Sequence, residues 1–460
     1  FGGDLLLKEV QERVIAVLRM AEALSPKYHV VVANPPYMGG KGMNAELGAF
    51  LGGKYEAVQS DLFSAFIVRN TQMALPKAQL GFMTPFVWMF ISSYEQLRLF
   101  LLERKTITSL VQLEYSGFDG ATVPICTFTL ENAHHPSFEG GYIRLSDFRG
   151  APNQGPKTLE AIRNPDCGWF YRTSAKTFER IPGVPILYQL SGNAVESFRM
   201  SNTVADLGGF KRGTSTADNN RFLRNWFEVA QRKFGVKWRA YNKGGEKRRW
   251  FGNQQFVVNW GSSGDELKSF KGSYVRNTQH AFKPAVSYSS LTSGEPSFRF
   301  YEDHLHDQAG NFLPHKTREE ALSSLASLNS KFGIFLAQTL SPTLNILIED
   351  LGKIPISQTP RTNQISEVCV NLARSDWGAY ETSWDFTTLP LLSPDHRAGT
   401  LEASYALLRA HWQSMTDEMQ RLEEENNRIF IGAYGLQDEL TPEVPIEEIT
   451  LTCNPAYRYG

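Results

Sequence analysis

The sequence predicts an α/β protein: a partial doubly wound sheet in its first third, a mixed α/β region after it, and a long helix toward the C-terminal end. Three observations carry that class. Up to residue 150, short apolar runs alternate with amphipathic ones. Beyond residue 150, Gly, Pro, Asn and Ser become frequent and the alternation is lost. From Leu401 to Ile429 a single apolar seam then runs unbroken.

Each element has its own signal. Leu7, Val10, Val14, Val17, Ala21 and Leu24 recur at three- and four-residue steps, which predicts a helix over 5–24. Ser25-Pro26 ends it. A short apolar strand, Val30 to Ala33, runs straight into Asn34-Pro35-Pro36-Tyr37. Asp61 is placed to cap a helix carrying Leu62, Phe63, Phe66 and Ile67. Gln79 to Met83, Ile107 to Leu113 and Val123 to Leu130 read as strands, and Tyr94 to Leu102 as a helix. This order predicts a predominantly parallel sheet over 1–150. Residues 151–185 read as a connector and 186–365 as a second domain with short strands such as Gln255 to Trp260. Residues 366–460 read as a helical C-terminal region, irregular to about residue 400 and then helical through Leu401, Tyr405, Leu408, Trp412, Met415, Met419 and Leu422.

Composition limits the function. The 460 residues are 42% hydrophobic and 21% charged, which excludes a mainly disordered chain. Lys and Arg number 47 against 48 Asp and Glu, so bulk charge does not hold this chain to nucleic acid. Four scattered cysteines give neither a disulfide scaffold nor a Cys-based zinc site. No apolar run is long enough to span a bilayer. His304 and His306 read as a surface loop, and no metal is expected. Without an initial Met, and with no basic segment before an apolar one, the chain reads as an internal segment of a longer cytoplasmic protein.

Asn34-Pro35-Pro36-Tyr37 is the sharpest signal, because of where it stands. Open α/β sheets place ligands at the carboxyl ends of their strands. Two prolines fix φ and remove two backbone N–H groups, so a carbonyl there is left as a free acceptor. The Asn34 side chain offers a second acceptor and Tyr37 a flat face. Two acceptors and a stacking plane suit a planar substrate with an exocyclic amine, whose lone pair stays free to attack a methyl group. The plain alternative is a proline-stiffened turn after a buried strand.

On these residues the sequence resembles the S-adenosylmethionine-dependent amino-group methyltransferases, above all the adenine-N6 DNA methyltransferases. The resemblance implies that Asn34 and Pro35, with Pro36, form the amine pocket and that Tyr37 stacks on a base flipped from the duplex. It also implies that Phe118, in the loop Glu114 to Val123, stacks on the other side, and that Asp61 and Pro85 line the pocket. Residues 1–150 would then be the C-terminal half of a Rossmann-like catalytic domain. S-adenosylmethionine is the implied cofactor. Its glycine-rich turn after an early strand is absent from the 33 residues before Asn34, so its site is expected mostly upstream, with Asn34 contributing, and the isolated chain is expected to be inactive.

A second charge-bearing feature lies downstream. Residues 211–250 hold twelve Lys and Arg against three Asp and Glu, a local excess of nine positive charges interleaved with aromatics. Such residues contact phosphates, and Asn and Gln can read base edges. Lys211, Arg212, Thr214, Asn220, Arg221, Lys243, Lys247, Arg248 and Arg249 are the candidate DNA contacts. Gly208 to Phe222, Asn329 to Phe332 and Asp350 to Ile356 resemble the opening and closing segments of target-recognition domains in large fused methyltransferases. With Asp376 to Phe386 and Ile429 to Pro442, the whole chain resembles the adenine methyltransferases of bacterial BREX phage-defence systems. That implies double-stranded DNA and other BREX proteins as partners, phage DNA-mimic proteins as inhibitors, and no membrane. Two alternatives stay open: a non-catalytic DNA-binding scaffold of a defence complex, and a protein-glutamine N5 methyltransferase. The acidic stretch 417–448, ten Asp and Glu against two Arg, reads by default as a solvated helix face, the alternative being a surface that packs on a partner subunit or on a further C-terminal region.

Overall fold

A computed structural model describes residues 5–115, 117, 123–292, 294–341, 344–357 and 359–459. The chain forms two compact units, residues 1–192 and 193–460.

The first unit is built on a six-stranded sheet of β1 (Tyr28–Ala33), β2 (Ala74–Pro85), β3 (Thr106–Gln112), β4 (Ile125–Glu131), β5 (Glu139–Arg144) and β6 (Phe170–Ser174), in the order β1-β2-β4-β3-β5-β6. Helices α1 (Leu5–Leu24), α2 (Ala45–Lys54), α3 (Leu62–Met73), α4 (Glu95–Arg104) and α5 (Ala151–Arg163) accompany it. Pairings β1–β2 and β3–β5 are parallel, while β2–β4, β3–β4 and β5–β6 are antiparallel. The sheet is therefore mixed, where the sequence predicts a predominantly parallel one. The reason lies between β3 and β4. A parallel return needs a crossover, usually a helix. Segment 113–124 has none among its described residues, so β4 comes back antiparallel and inserts between β2 and β3.

The core of this unit follows the expected apolar faces. Phe82 and Phe128 stand opposite each other across β2 and β4, and their rings stack at 5.3 Å. Leu97 and Leu101 of α4 and Phe63 and Ile67 of α3 are buried. The α1 seam behaves differently: Val10, Val14, Val17 and Leu24 are all exposed. So is the outer edge of the sheet, where Val30 of β1 is 61% and Val32 77% accessible. The connector expected over 151–185 also proves structured. Ala161 of α5 packs against Ile143 and Leu145, and β6 extends the sheet by pairing with β5.

The second unit contains β7 (Asn202–Thr203), β8 (Leu223–Asn225), β9 (Trp238–Asn242), β10 (Phe256–Asn259), β11 (Ala285–Tyr288), β12 (Phe298–Tyr301), β13 (Leu305–His306), β14 (Phe312–Pro314) and β15 (Pro355–Ile356). They form sheets β13-β9-β10-β8, β12-β11-β14 and β15-β7. Helices Arg318–Leu328, Lys331–Leu340, Pro360–Gly378 and Leu401–Tyr434 pack on one another. The irregular stretch expected from 366 is in part the helix Pro360–Gly378. Ile365, Cys369, Val370, Ala373 and Trp377 give it a buried seam, but Thr362, Ser366 and Asp376 are buried too and blur the apolar period. Thr359 caps it by accepting from the Thr362 N–H, and Pro360 opens it. The long helix runs to Tyr434, past Ile429, and stops where Gly435 turns left-handed at φ 67°. The C-terminal region does not stand apart: the Asn426 amide donates to the Ala326 carbonyl at 2.9 Å, and the Phe332 and Tyr434 rings meet at 4.8 Å.

Candidate active site and nucleic-acid interface

Asn34-Pro35-Pro36-Tyr37 leaves the carboxyl end of β1, next to parallel β2. Asn34, Pro36 and Tyr37 are exposed and Pro35 is buried. The motif thus combines an anchored proline with an open polar face. The Tyr37 hydroxyl lies 3.1 Å from Asn34 Oδ1 and 3.3 Å from the Met83 carbonyl at the end of β2. One hydroxyl proton serves two acceptors. The amide oxygen has two lone pairs, so this contact orients Asn34 and still leaves it room to accept an amine N–H. Burial pushes the Tyr37 phenol up, so it remains a protonated donor near neutral pH.

Asp61 supports the loop from below. Its Oδ1 accepts from the Met38 N–H at 2.9 Å and from the Phe63 N–H at 3.3 Å, capping α3 as the sequence predicts. The Leu62 N–H donates to the Met38 carbonyl at 3.0 Å, and Gly39 bridges to Asp61. Phe63 then holds the Tyr37 ring edge-on at 6.4 Å. Asp61 therefore acts as a brace for residues 38–39. The same carboxylate, after burial, raises the Tyr94 phenol to about 12. Gly39 and Gly40 meet no crowding that demands glycine; nothing lies within 4 Å of a Cβ built at Gly40. Pro85 ends β2 two residues beyond Met83. Phe118 lies outside the described residues.

The downstream candidates separate into three groups. Lys211, Arg212, Asn220 and Arg221 reach the surface, where Arg212 pairs with Glu349 at 3.2 Å and Arg221 with Glu266 at 2.9 Å. Thr214 is fully buried, and Lys243 pairs at 2.8 Å with Asp307, itself buried. Lys247, Arg248 and Arg249 belong to an internal ion-pair network. Lys247 meets Glu295 at 2.9 Å, Arg248 meets Asp376 at 3.3 Å, and Arg249 reaches Glu423, Glu295 and Glu448. Arg248 and Arg249 are 7% and 5% exposed, so a phosphate cannot reach them, contrary to the expectation from charge density. Two of the partners of Arg249, Glu423 and Glu448, come from the stretch expected to be a solvated acidic face, and Glu423 is buried and also accepts from Trp250 Nε1 at 2.7 Å. His304 and His306 are likewise internal, not on a surface loop.

Sequence reasoning missed a group on the surface of the second unit. Arg276 lies over the exposed Tyr274 ring at 4.6 Å, and Asn277 Nδ2 donates to the Arg212 carbonyl at 2.9 Å. Arg212 and Arg276 line one cleft with Gln308 and Asn311. These four are spread over a hundred positions, and nothing in their spacing signals that they meet.

Comparison with known proteins shows what the chain is similar to. Residues 8–118 match the Eco57I restriction-modification methylase family. The chain is 32% identical over 95% of its length to the adenine-specific methyltransferase PglX of Lacticaseibacillus casei (strain Zhang), and covers 38% of that protein. It is 30% identical over its full length to the adenine-specific methyltransferase BrxX of Escherichia coli O9:H4 (strain HS), again covering 38% of it. The chain thus spans less than half the length of these relatives. Among solved structures it is similar to a nuclease-deletion mutant of the Type ISP restriction-modification enzyme LlaGI in complex with a DNA substrate mimic. That match has a TM-score of 0.50 and 11% identity, and covers 83% of this chain and 38% of the other. At such identity it speaks for the fold alone. The chain is thus similar to adenine-specific methyltransferases. Its similarity to PglX and BrxX extends across both units.

Proposed function

We propose that this chain carries the amine pocket and the DNA-recognition region of a site-specific DNA adenine-N6 methyltransferase that marks host DNA in bacterial phage defence. The observation that supports this best is the open Asn34–Tyr37 loop at the end of β1, with the Tyr37 hydroxyl shared between Asn34 and the Met83 carbonyl. Asn34 Oδ1 and the Pro35 carbonyl would each accept one N–H of the adenine amine. That orients the nitrogen lone pair outward, and the Tyr37 ring would hold the flipped base. S-adenosylmethionine, when bound, supplies an electrophilic methyl group. No side-chain base is needed, because the methylated nitrogen is acidic and loses its proton to water.

Asn34 would contribute to the cofactor site, and most of that site would come from segments outside this chain. Lys211, Arg212, Asn220 and Arg221 remain the proposed phosphate and base contacts, and Phe118 the proposed second stacking residue. Double-stranded DNA in the cytoplasm is the proposed substrate. Other BREX proteins would be partners, and phage DNA mimics would compete for the basic surface.

The test uses the full-length protein expressed in cells, with adenine methylation mapped genome-wide. A single asymmetric motif should appear and vanish with Asn34→Ala, while purified Asn34→Ala protein binds duplex nearly as tightly as the parent. Methylation that survives the substitution, or duplex binding lost in parallel with it, would overturn the assignment.

A further inference from the structure

Past the charge-dense window 211–250 comes a stretch whose cations, unlike Arg248 and Arg249, stay on the surface. Between Glu266 and Glu295 the chain has no Asp or Glu, and Lys268, Lys271, Arg276 and Lys283 are all exposed. Among the described residues, no carboxylate lies within ion-pair distance of Arg276 or Lys283.

Backbone contacts bring this stretch against residues already proposed to touch DNA. The Ser215 and Tyr274 N–H groups each donate to the other's carbonyl at 2.8 Å. Asn277 Nδ2 donates to the Arg212 carbonyl at 2.9 Å, and Arg212 and Arg276 line one cleft. Burial first, then the charges of Lys283 and Lys211, lower His280 below the ordinary histidine range, which places both ammonium groups near its ring. Arg212 meets Glu349 at 3.2 Å, but both side chains are about half exposed, so a phosphate can displace the carboxylate at little cost. Tyr274 is the fixed point of this surface. Its ring is 60% exposed, its backbone is pinned through both N–H and carbonyl, and the Arg276 guanidinium lies 4.6 Å from the ring centroid. The ring quadrupole attracts that cation. The stack also restrains a long side chain that would otherwise lose its rotamer freedom on binding.

We infer that duplex DNA lies across this surface, that Lys211, Arg212, Arg276 and Lys283 each take a backbone phosphate, and that Tyr274 positions Arg276 for its contact. Arg suits the role because its planar fork meets two phosphate oxygens at once. Unpaired Lys and Arg fit a polyanion better than a protein partner, because protein interfaces are depleted in Lys at their centres. Contacts of this kind set the position of the duplex and carry no sequence information. This inference rests on the DNA-binding part of the proposed function, adds Tyr274, Arg276 and Lys283 to it, and is independent of methyl transfer.

The experiment measures binding of the purified full-length protein to labelled duplexes over a range of salt concentrations. Arg276→Ala and Lys283→Ala should each lower the slope of log affinity against log salt by about one, on unrelated sequences alike, and the double variant by about two. Arg409→Ala removes an exposed cation from the long helix and should leave the slope as it is. Tyr274→Ala should weaken binding about threefold with the slope retained, while Tyr274→Phe binds like the parent, since the ring alone holds Arg276. All four side chains are exposed, so the variants keep the parent's fold. An unchanged slope in Arg276→Ala and Lys283→Ala would overturn the inference and leave DNA binding to other residues. An equal fall in Arg409→Ala would overturn it too, as a sign of general charge. Poly-glutamate bound as tightly as duplex, charge for charge, would do the same, because the surface would then suit an acidic protein. A parent that binds no duplex would remove the DNA-binding reading itself, and this surface with it. A parent that binds with these slopes yet never methylates DNA would support the surface and count against the catalytic reading alone.

Discussion

Replacing Arg249 with Met should weaken the fold of the second unit and leave the proposed DNA binding unchanged. The guanidinium donates to Glu423 at 2.8 Å and to Glu295 and Glu448 at 3.3 Å each. The side chains of Glu295 and Glu448 are about one third exposed, so water can replace what they lose and they matter little. Glu423 is the costly partner. Its side chain is 4% exposed, and without Arg249 its charge keeps only the Trp250 indole N–H. Stranding a buried charge in this way costs about 3–5 kcal/mol. A typical domain has about 5–15 kcal/mol in all, so the loss should be plain. Urea unfolding of the chain, followed by tryptophan fluorescence, should show it as a lower midpoint at unchanged slope. Arg249→Met/Glu423→Gln should recover at least half, because a neutral amide can still accept from Trp250. Duplex affinity, measured where both proteins are folded, should keep its salt slope. An unfolding free energy within about 1 kcal/mol of the parent, together with a salt slope lower by one, would refute the argument and return Arg249 to the phosphates.

Three further outcomes follow from the geometry. The second unit should lose stability in mild acid: burial lowers His304 and His315 from 6.5 to about 4 and holds His306 well below its ordinary value too, so the unfolded chain takes up these protons first. The stabilisation is complete above the ordinary histidine range and lost as pH falls through the folded values, on the order of 3 kcal/mol for each of His304 and His315; equal urea midpoints at pH 7 and pH 5 would contradict it. Tyr37→Phe keeps the ring but frees Asn34 from the hydroxyl, and should lower kcat/KM for duplex methylation by the full-length protein roughly tenfold, the worth of one hydrogen bond; unchanged kinetics would show that Asn34 needs no such support. Gly213→Ala puts a methyl group 2.3 Å from the Asp307 carbonyl oxygen and 2.4 Å from that of His306, backbone atoms that cannot swing aside. It should destabilise by more than about 2 kcal/mol, while Gly40→Ala, which meets nothing, changes unfolding by less than about 1 kcal/mol.

How much of this the residue order reveals depends on how local the cause is. The strand-end motif, the Asp61 cap and the helix from Leu401 rest on neighbours within a few positions, and a local pattern reports them well. The antiparallel insertion of β4 between β2 and β3 is set by pairing between strands, and alternation of strands and helices does not register it. Charge density misled for a related reason. Twelve cations in forty positions mark a basic segment, but Glu423 lies 174 residues from Arg249 and Asp376 lies 128 from Arg248, so their neutralisation is invisible along the chain. The same distance hid the cleft of Arg212, Arg276, Gln308 and Asn311, whose chemistry exists only once three loops converge. His304 and His306 read as surface because histidine usually lies there. Their burial comes from Tyr301 and Trp384 around His304, and from Tyr301 and Phe312 around His306.

The edge position of β1 has a kinetic meaning for the loop it carries. Among the described residues β1 is hydrogen-bonded on one side only, through its parallel register with β2 from Val30↔Gln79 to Ala33↔Phe82. The amides on its other side face outward between Val30 and Val32. In a native-state exchange experiment on this chain those amides should trade hydrogen for deuterium within the dead time, while those directed at β2 persist. Asn34 follows the strand directly, so its residence in one position is set by the lifetime of a single ladder. Whatever closes the open side of β1 would slow that exchange and steady the amide together, and the rate at Val32 becomes a clock for how long Asn34 keeps still.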